Sequence, residues 1–217
     1  DCFSRNLARG PELSIICTDH YLGLLSPEEM GALMKDEEPI TKSHFELSNK
    51  AWSALRSSSP EKWCKLLNIG ATVLPFLEGA VVRLLEEYPS CTNGLSRTAE
   101  QALKVISGGE KRPARVFDCN QAMEERVFLG DASFWVVLHE LLESNSPLIA
   151  LPEGKELTLP SSNEQALTIT PTGLDVLAGK RNWLDVSDID RWIGGVHLKS
   201  TNVWCWNSSS RSIERRA

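Results

Sequence analysis

Hydrophobic positions along this chain recur mostly at helical spacing, with short apolar runs between them. Glu12 to Cys17 (ELSIIC) is such a run and predicts a buried strand, entered by a loop over Leu7 to Pro11. Ser26-Pro27-Glu28-Glu29 is a helix start. Serine stands at the N-cap, proline at the first helical position, and Glu29 closes a capping box. That helix is expected to reach about Met34, and Lys35 to Ile40 to be a charged connector. Thr41 caps the next helix, Lys42 to Leu55, with Phe45, Trp52 and Leu55 on its buried face. After the break at Ser57 to Pro60, Trp63, Leu66 and Leu67 mark a short helix. Thr72 then caps a longer one to about Tyr88, with an apolar stripe from Val73 to Tyr88, and Pro89 stops it.

Turn formers cluster at Ser90 to Gly94, the best boundary in the chain. Beyond it Ser96 caps a helix to about Ile106, and Pro113 opens a second to about Ala122, with Val116 and Phe117 inward. Asp131 is the expected N-cap of a third, reaching about Leu142, with Phe134, Trp135, Leu138, Leu141 and Leu142 buried. Two strands, Pro147 to Leu151 and Ala166 to Ile169, bracket a polar loop. Thr170-Pro171 starts a fourth helix, with Leu174 and Leu177 inward and Gly179 at its end. Three helices, a hairpin and a return helix are the order of a winged helix-turn-helix. The tail predicts one more hairpin: Ile189 to Leu198 and Val203 to Trp206 form its arms around Lys199 to Asn202, and its tryptophans pack it onto the domain.

The fold class is therefore α+β and mainly helical. Residues 1–25 are a remnant of an α/β domain, 26–90 a helical region, and 91–217 a winged-helix-like domain with a Trp-rich hairpin tail. The strings LGLLSPEEM (Leu22 to Met30), LPFLEGAVVRLLEEYPS (Leu74 to Ser90), NGLSRT (Asn93 to Thr98), FLGDASFW (Phe128 to Trp135), LTITPTGLDVLAG (Leu167 to Gly179) and IDRWIGGVHL (Ile189 to Leu198) support this division. Together, over nearly the whole chain, they resemble an uncharacterised bacterial family named for an N-terminal domain of unknown function. The resemblance implies an N-terminal α/β domain of which this chain carries only the end. It also implies that any activity housed in that domain's acidic and glycine-containing motifs is missing here. Where the family pattern has a glutamate, this chain has Ala99. Ser96 thereby loses a capping-box partner worth about 0.5–1 kcal/mol.

Charge changes the picture. The net charge is -6 and the pI about 5.3. A strong sequence-independent grip on nucleic acid needs clustered cations, which this balance disfavours. No apolar run approaches a membrane span, and no signal peptide is visible. Between Thr92 and Trp206 there are 11 basic and 15 acidic residues, a net of -4. The third helix of the winged unit, the one that would enter a major groove, has no Lys or Arg from Asp131 to Glu143. Its expected exposed positions are Ala132, Ser133, Val136, His139, Glu140 and Glu143. Lys111, Arg112 and Arg115 on the second helix, with Lys155 on the wing loop, are the candidate nucleic-acid contacts.

Candidate chemistry is sparse. None of the six cysteines forms a C-x-x-C pair or has zinc-like His spacing, and they read as reduced structural thiols. The acceptor sequence Asn207-Ser208-Ser209 carries no meaning in an intracellular chain. Asp190, Arg191, Trp192 and His197 surround Gly194-Gly195, where backbone could approach a ligand. The plainer reading is an Asp190–Arg191 ion pair beside a tight turn. Cys17 and His20 at a strand end are read as a buried thiol and a loop histidine. The adjacent pairs Glu28-Glu29, Glu86-Glu87 and Glu124-Glu125 are read as solvated helix faces. No phosphate loop, dinucleotide fingerprint or nucleophile elbow is present. The expectation is a cytoplasmic, non-enzymatic interaction module without cofactor, metal or membrane partner, most often engaging protein. DNA binding through the winged helix is one alternative. The other is an accessory part of an enzyme whose active site lies in the missing N-terminal domain.

Overall fold

The capping signals act from Ser26 onward. A computed structural model describes residues 12–67, 73–162 and 165–216. The chain forms two units. The first runs to Leu85 and includes Gly194–Val196. The second comprises Glu86–Ile193 and the chain from His197.

In the first unit, β1 (Ser14–Ile15) pairs antiparallel with β2 (Glu38–Pro39), Ser14 opposite Pro39 and Ile15 opposite Glu38. The expected loop over Leu7 to Pro11 lies outside the described residues. Between the strands stands α1 (Pro27–Ala32). Ser26 Oγ accepts from Glu29 N–H at 3.3 Å, and Glu29 Oε2 accepts from Ser26 N–H at 2.7 Å, the reciprocal box read from the sequence.

Helix α2 (Lys42–Leu55) begins at Thr41. His44 stands where a capping glutamate usually does, its Nδ1 accepting from Thr41 N–H at 3.1 Å. The buried face of α2 differs from expectation. His44, Leu47 and Ala54 are buried, Phe45 and Leu55 are half-buried, and Trp52 is 53% exposed. Periodicity fixes the spacing of a stripe, but residues one position apart point about 100° apart, and packing decides which stripe is buried. Helix α3 (Glu61–Leu66) buries Trp63 and Leu66 as predicted.

The helix expected from Thr72 to about Tyr88 is shorter. Helix α4 spans Leu77–Leu85, and Pro75 precedes it. The proposed cap, Thr72, lies outside the described residues. Gly194-Gly195 approaches this unit's own backbone and not a ligand. Gly195 N–H donates to Leu55 O at 2.6 Å, and a Cβ at Gly194 would stand 2.5 Å from the same oxygen.

The second unit opens with α5 (Arg97–Ser107), capped by Ser96 Oγ accepting from Ala99 N–H at 3.2 Å. Ala99 is itself buried in the core, so a small side chain packs where a capping glutamate would stand. Helices α6 (Pro113–Gln121) and α7 (Asp131–Glu143) follow. Gly130, not Asp131, is the N-cap of α7. Asp131 sits in the first turn, where its Oδ1 accepts from Ala132 N–H at 2.7 Å. Strand β3 (Ile149–Ala150) pairs antiparallel with β4 (Thr168–Ile169), and α8 (Pro171–Leu177) returns to the helices, capped by Thr170.

The core lies among these elements. Leu103 and Ile106 of α5, Val116 of α6, and Phe134, Leu138 and Leu141 of α7 meet Leu148, Ile149, Leu167 and Val176. Each fully buried side chain of this size contributes about 1.5–3 kcal/mol. Leu174, expected inward, is exposed. Gly173 and Val176 face the core instead, because α8 approaches Leu148 so closely that only glycine fits at 173.

The tail departs from the single predicted hairpin. Strand β5 (Asp190–Ile193) pairs with β6 (Val196–Lys199), and β7 (Trp204–Asn207) pairs antiparallel with β8 (Ser212–Arg215). Gly194, at φ +56°, gives the first pair a tight turn. Lys199 and Asn202 form only an isolated bridge. Strand β7 is fastened along Ser90: Trp206 N–H donates to Pro89 O at 2.8 Å, and Cys91 N–H to Trp206 O at 3.0 Å. Trp206 is buried, as tail packing requires, whereas Trp192 is 64% exposed.

Candidate functional site

Within the second unit, a cleft of about 290 Å³ opens beside α7. Val136, His139, Glu140 and Glu143 of that helix form one wall. Trp183 and Leu184 close another, and Asp190 and Arg191 of β5 stand at its edge. The helix supplies residues three and four apart on one face, and the strand alternates its side chains between faces. Arg191 therefore points toward α7 while Asp190 and Trp192 point away from it.

This alternation corrects the expected Asp190–Arg191 pair. The Arg191 guanidinium lies 3.5 Å from Glu140 Oε2 and also donates to the carbonyl of Glu87. Burial raises the Glu140 carboxyl above its ordinary value, Arg191 pulls it back, and Glu87 adds to the rise. Asp190 instead meets His197, with Nε2 and Oδ1 2.5 Å apart. That hydrogen bond holds the Asp190 carboxyl below the usual range, with Lys199 adding to the effect. The Trp192 and His197 rings stack at 4.2 Å. Asp190, Trp192 and His197 thus form one cluster, while Arg191 belongs to another with Glu140 and Glu87. His197 does not line the cleft.

Two of the candidate nucleic-acid contacts are paired with carboxylates, and Lys111 is exposed. Arg112 lies 3.3 Å from Glu110, and Arg115 lies 3.1 Å from Asp118. Glu110 also accepts from the backbone N–H of both Lys111 and Arg112, at 3.0 Å each, and its carboxyl is lowered chiefly by the Arg112 backbone bond. Lys155 is exposed between Glu153 and Glu156 on the β3–β4 loop. That loop is anchored: Leu157 is buried, and Trp135 Nε1 donates to Thr158 O at 2.8 Å. On α7, Ala132, Ser133, Val136 and Glu143 are exposed, whereas His139 and Glu140 are half-buried.

Two acidic pairs expected on solvated helix faces lie beyond their helices, and of the four residues only Glu125 is exposed. Glu86 follows α4, and Glu124 and Glu125 follow α6, so neither pair sits within a helix. Arg97 gathers three of the four, with Glu86 at 2.8 Å, Glu125 at 2.7 Å and Glu124 at 3.8 Å. The Glu124 side chain is only 2% exposed. A lone arginine after a cap gives no sequence signal that three carboxylates converge on it. In the first unit, Cys17 is exposed and not buried, because β1 ends at Ile15, before it. His20 lies 3.7 Å from Asp19.

Among the described residues, no group of three or more metal-ligating side chains is found, and no helix is long and apolar enough to cross a membrane. Compared with protein-family models, with curated proteins and with solved structures, the chain matches none.

Proposed function

We propose that the second unit is a winged-helix interaction module, non-enzymatic and engaging protein, within a cytoplasmic regulatory protein of bacterial type. The order of α5, α6, α7, β3, β4 and α8 supports the winged-helix reading. The family resemblance carried by the strings from Leu22 to Leu198 is part of the same proposal.

One observation carries the choice of partner: the solvent face of α7 bears Asp131, Glu143 and small or apolar residues, and no Lys or Arg stands on that helix. A helix docked in a major groove faces phosphates on both sides, and Glu143 would repel them. Arg112 at the N-cap of α6 and Arg115 within it are already paired with carboxylates, and the β3–β4 loop is tied to the core. The exposed Val136 and Ala132 suit a protein surface better than a groove floor.

Fluorescence anisotropy of labelled duplex DNA and single-stranded RNA tests this at about 50 and about 200 mM salt. No binding at either concentration is expected. A tight signal that falls steeply with salt would establish phosphate contacts and overturn the reading.

A further inference from the structure

We propose that the cleft beside α7 docks a basic segment of the partner protein, a Lys or Arg stem lying on its apolar wall and the charged head held by Glu143 and Asp188. The inference deepens the protein-interaction reading and rests on it.

Every residue lining the cleft belongs to the second unit. Its volume, about 290 Å³, is at the small end of the roughly 300–1,000 Å³ of ligand clefts, so it takes side chains and not a whole helix. The lining is charged one way. Glu140, Glu143, Asp188 and Asp190 contribute four carboxylates, against the one guanidinium of Arg191. That guanidinium is already held by Glu140 and by the Glu87 carbonyl, and Asp190 is engaged by His197. Glu143 and Asp188 are the open carboxylates. The Glu143 side chain is 73% exposed and meets His139 at 3.1 Å. Exposed Asp188 accepts from two neutral groups, Asn145 Nδ2 at 3.0 Å and Ser200 Oγ at 2.7 Å. Beside them Val136, Trp183 and Leu184 supply apolar surface, and Val136 is 58% exposed. An apolar stem ending in a cation matches such a wall and rim, whereas an anion would be repelled.

A second, independent feature narrows the occupant further. Ser144 Oγ, Trp183 Nε1 and Arg191 Nε are shielded from water and hydrogen-bond to nothing among the described residues. All three belong to residues that line the cleft, and each can donate. A buried donor without an acceptor is unfavourable, so an occupant that brings acceptors within reach of a side-chain rotation is stabilised there. A bare metal ion or a simple amine brings charge and no acceptor. A peptide brings both, backbone carbonyls for the orphaned donors and a basic side chain for the rim.

The test selects a displayed random heptapeptide library on the full chain. Enriched peptides are then labelled with fluorescein and titrated by anisotropy. Peptides carrying Lys or Arg beside apolar residues are expected. Glu143→Gln with Asp188→Asn should weaken them at least about tenfold. The same loss of charge on the β3–β4 loop, Glu153→Gln with Glu156→Gln, should leave them unchanged. Glu143→Gln alone, a change to an exposed side chain, reads the same effect if the double variant does not fold. Enrichment of no peptide, or of peptides without Lys or Arg, overturns the proposal. Equal weakening by the cleft and loop variants marks unspecific attraction to an acidic chain and overturns it too, as does no weakening by the cleft variant. Peptides that bind outside the cleft leave the protein-interaction reading standing. Salt-sensitive binding of duplex DNA, with no peptide enriched, sinks that reading itself.

Discussion

Glu140 and Gly173 show how single positions decide this structure. The Glu140 carboxyl is raised chiefly by burial, so the folded protein holds its proton more tightly than the unfolded chain does. Such a contribution is complete below the unfolded value and lost as pH rises through the folded one. Glu140→Gln cannot ionise. Its stability relative to wild type should therefore increase between about pH 4 and about pH 8 in urea unfolding. A pH-independent difference would contradict the raised carboxyl of the half-buried Glu140. At Gly173, an added Cβ would stand 2.2 Å from Leu148 O, a backbone atom that cannot step aside. Gly173→Ala should cost at least about 1–3 kcal/mol, read as a lower urea midpoint. The Cys205 thiol is pushed up by burial to about 11. In the native protein it should therefore alkylate far more slowly than exposed Cys17 near neutral pH, and equal rates would refute its burial.

At the scale of elements, caps were the most legible feature. Ser26, Ser96 and Thr170 each accept the bond that their side chains announce. Ser96→Ala should therefore destabilise by roughly 0.5–2 kcal/mol, and an unchanged unfolding midpoint would show that the cap contributes nothing. Long apolar stripes were legible too, and the α7 positions Phe134, Trp135, Leu138 and Leu141 are all buried. What failed was orientation. On α2, and at Leu174 of α8, the spacing was right but neighbouring residues face the core, because long-range packing chooses between adjacent stripes, while Leu177 packs against the core as expected. Pairing failed in the tail for a similar reason. Two strand pairs need two turns, and the second pair uses Ser212–Arg215, a polar run with little strand signal. The site residues Asp190, Arg191 and His197 could be named from the sequence but not paired. Their partners depend on which way each side chain leaves its strand, and Glu140 and Glu87 are distant in sequence.

At the scale of the whole molecule, the second unit holds its tail to its body through the Pro89–Cys91 backbone bonds to Trp206. Charge is the other whole-molecule property. The acidic balance of the chain, the pairing of Arg112 and Arg115, and the uncharged or acidic face of α7 all point away from phosphates. The most direct test is a paired anisotropy titration of labelled duplex DNA at about 50 mM salt, wild type against the variant Lys111→Glu, Arg112→Glu, Arg115→Glu. The interaction-module account predicts no binding by either protein. Binding by wild type that the triple variant abolishes would contradict it and make α6 a nucleic-acid surface.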